Sequence, residues 1–366
     1  MRKFFYIDDE DEQTIQSIAE GVSASKHVEI DVVPLKDNRA FESLTDFLKT
    51  KWDQTDGFLL DLKLNGTGPN NTKFSATSLA QWLRSYAVEN DKPHKPIVLL
   101  SNDLKCAHYS SDVTSHDLFD IVIERTVDLP WEPFSIQLAI LADTYSKLNG
   151  DKEKNLQNIF QYGNIDATVT MLAPFVKAES FNVSRFAMFV LHDLFEHSGW
   201  LIDEAVLAAR LGVDKDKSGN EWEKFRDTYF SEAQYKGDFA ELKRLYWSKE
   251  TIGIFKKVTG GKSPASMTGP QRLEAMKATV NEAKNLISYQ PEGHCKSVYY
   301  WTVDEVTKKP LDASEGYMIQ EDTGLKAWQE PRYVCFDTIE NGHLGDFELM
   351  PSEQERYEMD LASMKD

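Results

Sequence analysis

The stretch Gly57-Phe58-Leu59-Leu60-Asp61-Leu62-Lys63-Leu64 decides how this chain is read. Gly57 to Leu60 is apolar without alternation, and it runs straight into Asp61. The same arrangement occurs upstream, where Lys3-Phe4-Phe5-Tyr6-Ile7 ends in Asp8-Asp9-Glu10. Short unbroken apolar runs mark strands buried on both faces of a parallel sheet. The C-terminal ends of two such strands meet at one edge, where open α/β sheets place their ligands. Carboxylates gathered there repel one another unless a cation or a phosphoryl group joins them. Asp8, Asp9 and Asp61 are therefore candidate ligands of a divalent cation. Asp61 is also a candidate to accept a phosphoryl group.

Outward from these two runs, the pattern alternates. Ile15, Ile18, Ala19 and Val22 fall at helical spacing within 11–23, and Val28 to Val33 is a β-branched strand. Phe41, Leu44, Phe47 and Leu48 mark a second helix, before a strand from Phe58 to Leu62. Leu79, Ala80, Trp82 and Leu83 mark a third helix. Pro96 to Leu100 is a fourth strand, ending at Ser101, and Ile121-Val122-Ile123 is a fifth. A helix from Phe134 to Leu148 closes the series. Strands alternating with helices imply an α/β fold with a parallel sheet covered on both faces.

This succession resembles the receiver domain of two-component response regulators, over residues 1–148. The resemblance rests on Asp8-Asp9 after the first strand, Asp61 after the third, Ser101 after the fourth, and the helix spacing. It implies a flavodoxin-like five-stranded parallel sheet in the order 2-1-3-4-5. It also implies magnesium held by Asp8, Asp9 and Asp61, with Asp61 taking a phosphoryl group from a histidine kinase. Ser101 would be the switch hydroxyl that turns towards the phosphate. Two departures stand out. The family's lysine after the fifth strand is missing: Glu124 falls at its place, followed by Arg125. Glu124 would put an anion where the family neutralises phosphate, so Glu124→Lys should strengthen phosphate retention. Arg125 fills that place only if the register slips by one, and its guanidinium is larger and planar. The family's proline after the acceptor is also replaced, around Asn65. The loop from Gly66 to Thr72 is long, polar and turn-rich, and could reach over the acidic pocket. Three readings follow: a phosphorylated receiver, a degenerate one used as a docking surface, or acidic loop ends that meet by coincidence.

Composition bounds the alternatives. The chain has 366 residues and is 41% hydrophobic, which suits two domains with packed cores. Its net charge is −19, with 41 basic residues against 60 acidic, and both the first 150 residues and the remainder are acidic. That argues against nonspecific binding to a phosphate backbone. Cys106, Cys295 and Cys335 are scattered and in no metal-ligand spacing, which fits a reducing cytoplasm. The N-terminus shows no signal-peptide pattern, and no apolar run approaches a membrane span.

The segment Asn149-Gly150-Asp151-Lys152-Glu153-Lys154 reads as a domain boundary. Residues 151–290 read as mainly helical: a buried apolar segment from Phe181 to Phe195, a helix from Leu201 to Gly212, and a long helix from Pro270 to Tyr289. Residues 291–366 read as a small β region with an acidic helical tail. Its strands are expected at Val298 to Val303, Arg332 to Asp337 and Phe347 to Leu349, with a turn at Asn341-Gly342. No family is recognised beyond residue 150.

Four features here invite sharper readings. Leu201 to Gly212 with the segment after Glu221 has a superficial helix-turn-helix look, but Glu221, Glu223 and Asp227 suit a recognition helix poorly. His192 and His197 are five apart, not the four that places two ligands on one helix face, so pairing of His192 with Glu196 or Asp193 with His197 competes with a metal site. Gly260-Gly261-Lys262-Ser263 has Phe255 where a phosphate loop needs glycine. Tyr229, Phe230, Tyr235, Phe239, Tyr246 and Trp247 read as core, or in part as a partner surface.

Together these readings describe a cytoplasmic signalling regulator or adaptor. Its atypical receiver domain would control a C-terminal region through contacts with a histidine kinase or an effector protein, without nucleic acid or membrane. A homodimer is compatible with the sequence. The alternatives are a DNA-binding transcriptional response regulator using residues 198–231, and an enzyme with its site near His192 and His197.

Overall fold

The computed structural model describes the chain except for residues 66–68, 102–117, 127–128, 164, 166–169, 176, 178–180, 322–323, 346 and 364–366. Cys106 and Gly66 to Gly68 of the polar loop therefore lie outside the described residues. The chain divides into two compact units. The first comprises Met1–Leu191 with Gly237–Leu242, and the second His192–Lys236 with Lys243–Asp366. Among the described residues, no helix is long and apolar enough to cross a membrane.

The first unit is α/β. Its strands are β1 (Arg2–Ile7), β2 (Val28–Val32), β3 (Gly57–Leu60), β4 (Ile97–Ser101) and β5 (Ile121–Glu124). They form one parallel sheet in the order β2-β1-β3-β4-β5, as expected. Helices α1 (Glu12–Ser23), α2 (Phe41–Lys51), α3 (Ala76–Glu89) and α4 (Trp131–Gly150) flank it. Strand alternation sends Phe5, Ile7, Phe58 and Leu60 into a core with Leu44, Leu48, Leu79 and Leu83 of α2 and α3. Phe4 and Tyr6 are buried on the opposite face, where α1 and α4 lie. β3 and β4 are buried throughout, which is why both read as unbroken apolar runs. β5 is an edge strand with alternate residues exposed.

The charged stretch after Gly150 was expected to part the domains. Helix α4 does end at Gly150, yet the first unit continues to Leu191. Two further helices, α5 (Leu156–Phe160) and α6 (Val183–Met188), belong to it. Phe160, Phe175 and Phe186 meet edge to face, and the chain then widens into π-helical turns over Phe189–Leu194. The short return Gly237–Leu242 belongs to the same unit. Asp238 pairs with Lys147, its N–H donates to the Ile159 carbonyl, and Phe239 lies edge-on to Tyr145.

The second unit carries β6 (Leu201–Asp203), α7 (Glu204–Leu211), α8 (Lys215–Ser218), α9 (Asn220–Tyr229), β7 (Leu245–Trp247), α10 (Ser248–Val258) and α11 (Gly269–Lys277). Then follow β8 (Thr302–Val303), β9 (Pro310–Leu311), β10 (Tyr317–Met318), β11 (Tyr333–Val334), α12 (Phe336–Glu340) and α13 (Pro351–Ser363). The strands pair antiparallel as β6-β7, β8-β9 and β10-β11.

Here several expectations need correction. The helix expected from Leu201 starts as a strand, because the Asp203 side chain caps a helix that begins only at Glu204. The long helix from Pro270 stops at Lys277. Thr279 Oγ1 donates back to the Ala275 and Met276 carbonyls, and Val280 is extended. Val280, Ala283 and Leu286 still enter the same core as α11, so their spacing reported burial, not helix. The strand expected from Val298 shrinks to Thr302–Val303. The Val298 carbonyl accepts from Gly269 N–H and the Tyr300 carbonyl from the Arg272 guanidinium, which diverts both from a ladder. The strand expected over Arg332 to Asp337 ends at Val334, because Asp304 takes the Cys335 N–H and α12 starts next. Phe347 to Leu349 contributes only a bridge between Leu349 and Ile319. Gly342 makes the expected turn in left-handed geometry, and the acidic tail is helix α13, which lays Tyr357 and Leu361 against the core of Tyr317 and Phe336.

Candidate acidic site at the carboxyl edge of the sheet

The site starts from strand register. Ile7 of β1 pairs with Leu60 of β3, so the next residues, Asp8 and Asp61, leave the sheet side by side. The Asp61 N–H donates to the Ile7 carbonyl at 3.0 Å, which extends the ladder by one step. Asp8, Asp9 and Asp61 are 1%, 5% and 5% exposed. One carboxylate oxygen from each lies within 4.8 Å of the others, a spacing that one cation can span.

Asp8 and Asp61 are held by hydrogen bonds. Asp8 Oδ1 accepts from the Glu10 N–H at 2.9 Å, and Asp8 Oδ2 accepts from the Tyr6 hydroxyl. Tyr6 lies two residues before Asp8, so strand alternation puts both on one side. Burial, reinforced by the Asp8 charge, pushes the Tyr6 phenol far up, so it stays a donor. Asp61 Oδ2 accepts from the Lys63 N–H at 2.8 Å. Burial pushes the Asp61 carboxyl up to about 7. The Asp8 charge adds to this, while the Lys63 N–H and the Arg125 charge oppose it.

Arg125 brings a cation to this pocket. Its Nη1 lies 3.4 Å from Asp8 Oδ2 and 3.4 Å from the Tyr6 hydroxyl, and its side chain is 11% exposed. Its Nη2 is 4.0 Å from Glu10 Oε1. Glu124, expected at the cation's place, is the exposed last residue of β5 and pairs in register with Ser101. The register is thus one residue later than the sequence was read. Ser101 ends β4, is 1% exposed, and its carbonyl accepts from the Arg125 N–H. One backbone hydrogen bond between neighbouring strand ends thus sets Ser101 and Arg125 side by side.

The polar loop does reach over the pocket where it is described. The Asn70 N–H donates to the Asp9 carbonyl at 3.2 Å, and its side-chain amide donates to the Glu10 carbonyl at 3.0 Å. Thr72 anchors the loop end, its N–H and hydroxyl both bonding the Leu64 carbonyl. Tyr6 is a site residue that sequence reading did not single out, although its period-two spacing from Asp8 was the signal. Asn70 belongs to the polar loop that was expected to reach the pocket.

The features of the second unit resolve towards packing. His192 lies 3.5 Å from Glu196, one of the two helical pairs expected, whereas Asp193 pairs with Lys326 instead of His197. His197 Nε2 is 3.2 Å from Glu321, which also holds Arg332 through two bonds of 2.7 Å. Burial works against the Glu321 charge, but the His197 and Arg332 hydrogen bonds prevail and draw its carboxyl down to about 2. The cleft beside His197 has ≈ 30 Å³, room for about one water. Helix α9 buries Trp222, Phe225 and Arg226 and exposes Glu223, Lys224, Asp227 and Thr228, which is no basic face. Gly260 and Gly261 form an exposed left-handed turn after α10. Of the aromatic stretch, Phe230, Tyr235, Phe239, Tyr246 and Trp247 are buried.

No protein-family model, no curated protein and no solved structure matches the chain.

Proposed function

We propose that the first unit is a receiver-like signalling module. In this reading Asp8, Asp9 and Asp61 bind a divalent cation such as Mg2+, and Asp61 accepts a phosphoryl group. The observation that carries it is Arg125 at Asp8, which supplies the cationic partner that Glu124 could not. Three buried carboxylates with donor oxygens this close fit a hard cation, and burial, with the Asp8 charge, raises the Asp61 carboxyl when none is bound.

The chemistry assigned to each residue follows from its place. The bound cation would neutralise negative charge on the incoming phosphoryl oxygens. Asp61, as the carboxylate, attacks phosphorus through a side-chain oxygen while the donor's leaving group departs, giving an aspartyl phosphate. Arg125 faces the same oxygens with fixed donors. The Ser101 hydroxyl is the donor on the neighbouring strand. A protein partner then senses the change, provided it binds the two states with different affinity. A phosphodonor kinase and an effector protein are the partner classes this reading requires.

The test is intact-mass spectrometry of the full chain after incubation with Mg2+ and acetyl phosphate. The reading expects a base-labile gain of one phosphoryl group in the wild type and none in Asp61→Asn with an unchanged circular-dichroism spectrum. No gain together with no Mg2+ affinity overturns it and leaves the unit as a fixed docking surface.

A further inference from the structure

The two described cysteines, forty residues apart in sequence, meet in the second unit. The Cys295 and Cys335 thiols are near enough for each to perturb the titration of the other. Both are partly exposed, and both line a cleft of ≈ 340 Å³ together with Tyr289, Lys309, Leu311 and His343. Two anchors build this meeting. On one side the Asp337 carboxylate accepts from the His294 N–H at 2.9 Å and bonds its ring Nδ1 at 2.5 Å. Gly293 just before takes φ +66°, and any Cβ there would fall 2.1 Å from Asp337 Oδ2. The turn that presents Cys295 is thus clamped by a residue two positions after Cys335. On the other side the buried Asp304 accepts from the Cys335 N–H at 2.7 Å and from the Thr338 hydroxyl at 2.8 Å. Thr338 Oγ1 in turn lies 3.2 Å from Cys335 Sγ.

We infer that Cys295 and Cys335 are a reactive dithiol that undergoes thiol–disulfide exchange with a small disulfide entering this cleft. Their roles differ. The hydrogen bond from Cys295 draws the Cys335 thiol down to about 7, against the opposing effect of burial, while the Cys295 thiol is pushed up. Cys335, whose Sγ also faces the Thr338 hydroxyl at 3.2 Å, is assigned as the attacking thiolate and Cys295 as the resolving thiol. The Cys335 thiolate attacks one sulfur of the small disulfide. That S–S bond breaks, one thiolate leaves and takes a proton from water, and a mixed disulfide stays on Cys335. Cys295 then loses its proton and attacks Cys335 Sγ, releasing the second small thiol. Two protein thiols are oxidised by two electrons, and one small disulfide is reduced to two thiols.

The experiment uses the full chain carrying Cys106→Ser and oxidised glutathione as the probe, with acid quenching, alkylation and intact-mass analysis. The expected product is loss of two hydrogens with no retained glutathione, and peptide mapping should join Cys295 to Cys335. Cys295→Ser should stop at one glutathione retained on Cys335. Cys335→Ser should react roughly ten-fold more slowly, as an ordinary thiol does near neutral pH. Should that variant not fold, the mapped bond and the trapped Cys295→Ser adduct decide the matter. Glutathione retained equally on both cysteines, or no reaction while both thiols alkylate, overturns the inference.

Discussion

Arg125 and Glu124 differ by one position and have opposite surroundings. Arg125 is tucked against Asp8 and Tyr6, while Glu124 faces solvent. Arg125→Ala is therefore expected to slow phosphate incorporation roughly 100-fold, the scale of losing one charge-directed donor. Glu124→Lys should change little, contrary to what the sequence register implied. Rates of mass gain with acetyl phosphate check both. Asp61 also carries a pH signature. Its carboxyl sits near 7 in the folded state and near 4 when unfolded, so the folded state holds a proton that the unfolded state releases. Stability in EDTA should fall as pH rises between those values, by an upper bound of about 4 kcal/mol. His94 has the opposite sign. Burial, with the Arg84 charge, lowers it to about 4, so its contribution is present above the ordinary histidine value and lost as pH falls. Melting temperatures of the wild type and Asp61→Asn, compared across pH 4–8 in EDTA, separate the two. A pH slope unchanged by Asp61→Asn would contradict the buried carboxyl. The three aspartates were legible because they follow directly on two apolar runs. Arg125 was not, because a one-residue shift at the end of a three-residue apolar run leaves no mark in composition.

Elements are joined by polar groups that periodicity does not reveal. Asp120, just before β5, is 1% exposed. Its Oδ2 accepts from Arg84 Nη2 of α3 at 2.9 Å and from the Ile97 N–H of β4 at 2.7 Å, and its Oδ1 accepts from the Tyr145 hydroxyl of α4. Arg84 also donates to the Leu118 and Lys95 carbonyls. Asp120→Ala would strand this guanidinium in the interior and is expected to cost about 3–5 kcal/mol, read by urea denaturation. Glycines at helix ends make a second comparison. Gly212 ends α7 at φ +80°, and a Cβ there would sit 1.9 Å from the Gly269 carbonyl oxygen. Gly260 after α10 has φ +70° with open space around it. Gly260→Ala should cost about 1 kcal/mol, the left-handed penalty alone, whereas Gly212→Ala adds a clash of about 1–3 kcal/mol. Equal losses in the two variants would mean that Gly269 yields. Strands β1, β3 and β4 were readable because burial on both faces leaves unbroken apolar runs, and β2 and β5 because of their β-branched residues. The second unit was not, because its short strands end where side chains such as Arg272 and Asp304 capture backbone groups.

At the scale of the molecule, the chain crosses between its compact units more than once. Residues 192–236 belong to the second unit, 237–242 return to the first, and the remainder belongs to the second. The return is secured by Phe239, which is 2% exposed against Tyr145 and held at φ +65°, unusual for a bulky residue. Phe239→Ala is expected to destabilise the first unit by about 3–5 kcal/mol, and limited proteolysis over a urea series would locate the loss there. Intact protection of the first unit would show that the return is dispensable. The aromatic stretch from Tyr229 was legible as core, but nothing in it said that Phe239 serves a different core from Tyr235 and Tyr246.

That return has a consequence for biosynthesis. The ribosome delivers residues in order, at roughly 5–20 per second. The sheet, its acidic edge and all five strands emerge early, yet the segment that covers Tyr145 emerges only after residues 192–236. For a few seconds the nascent first unit waits with an aromatic face open, while the chain that must bypass it is already outside.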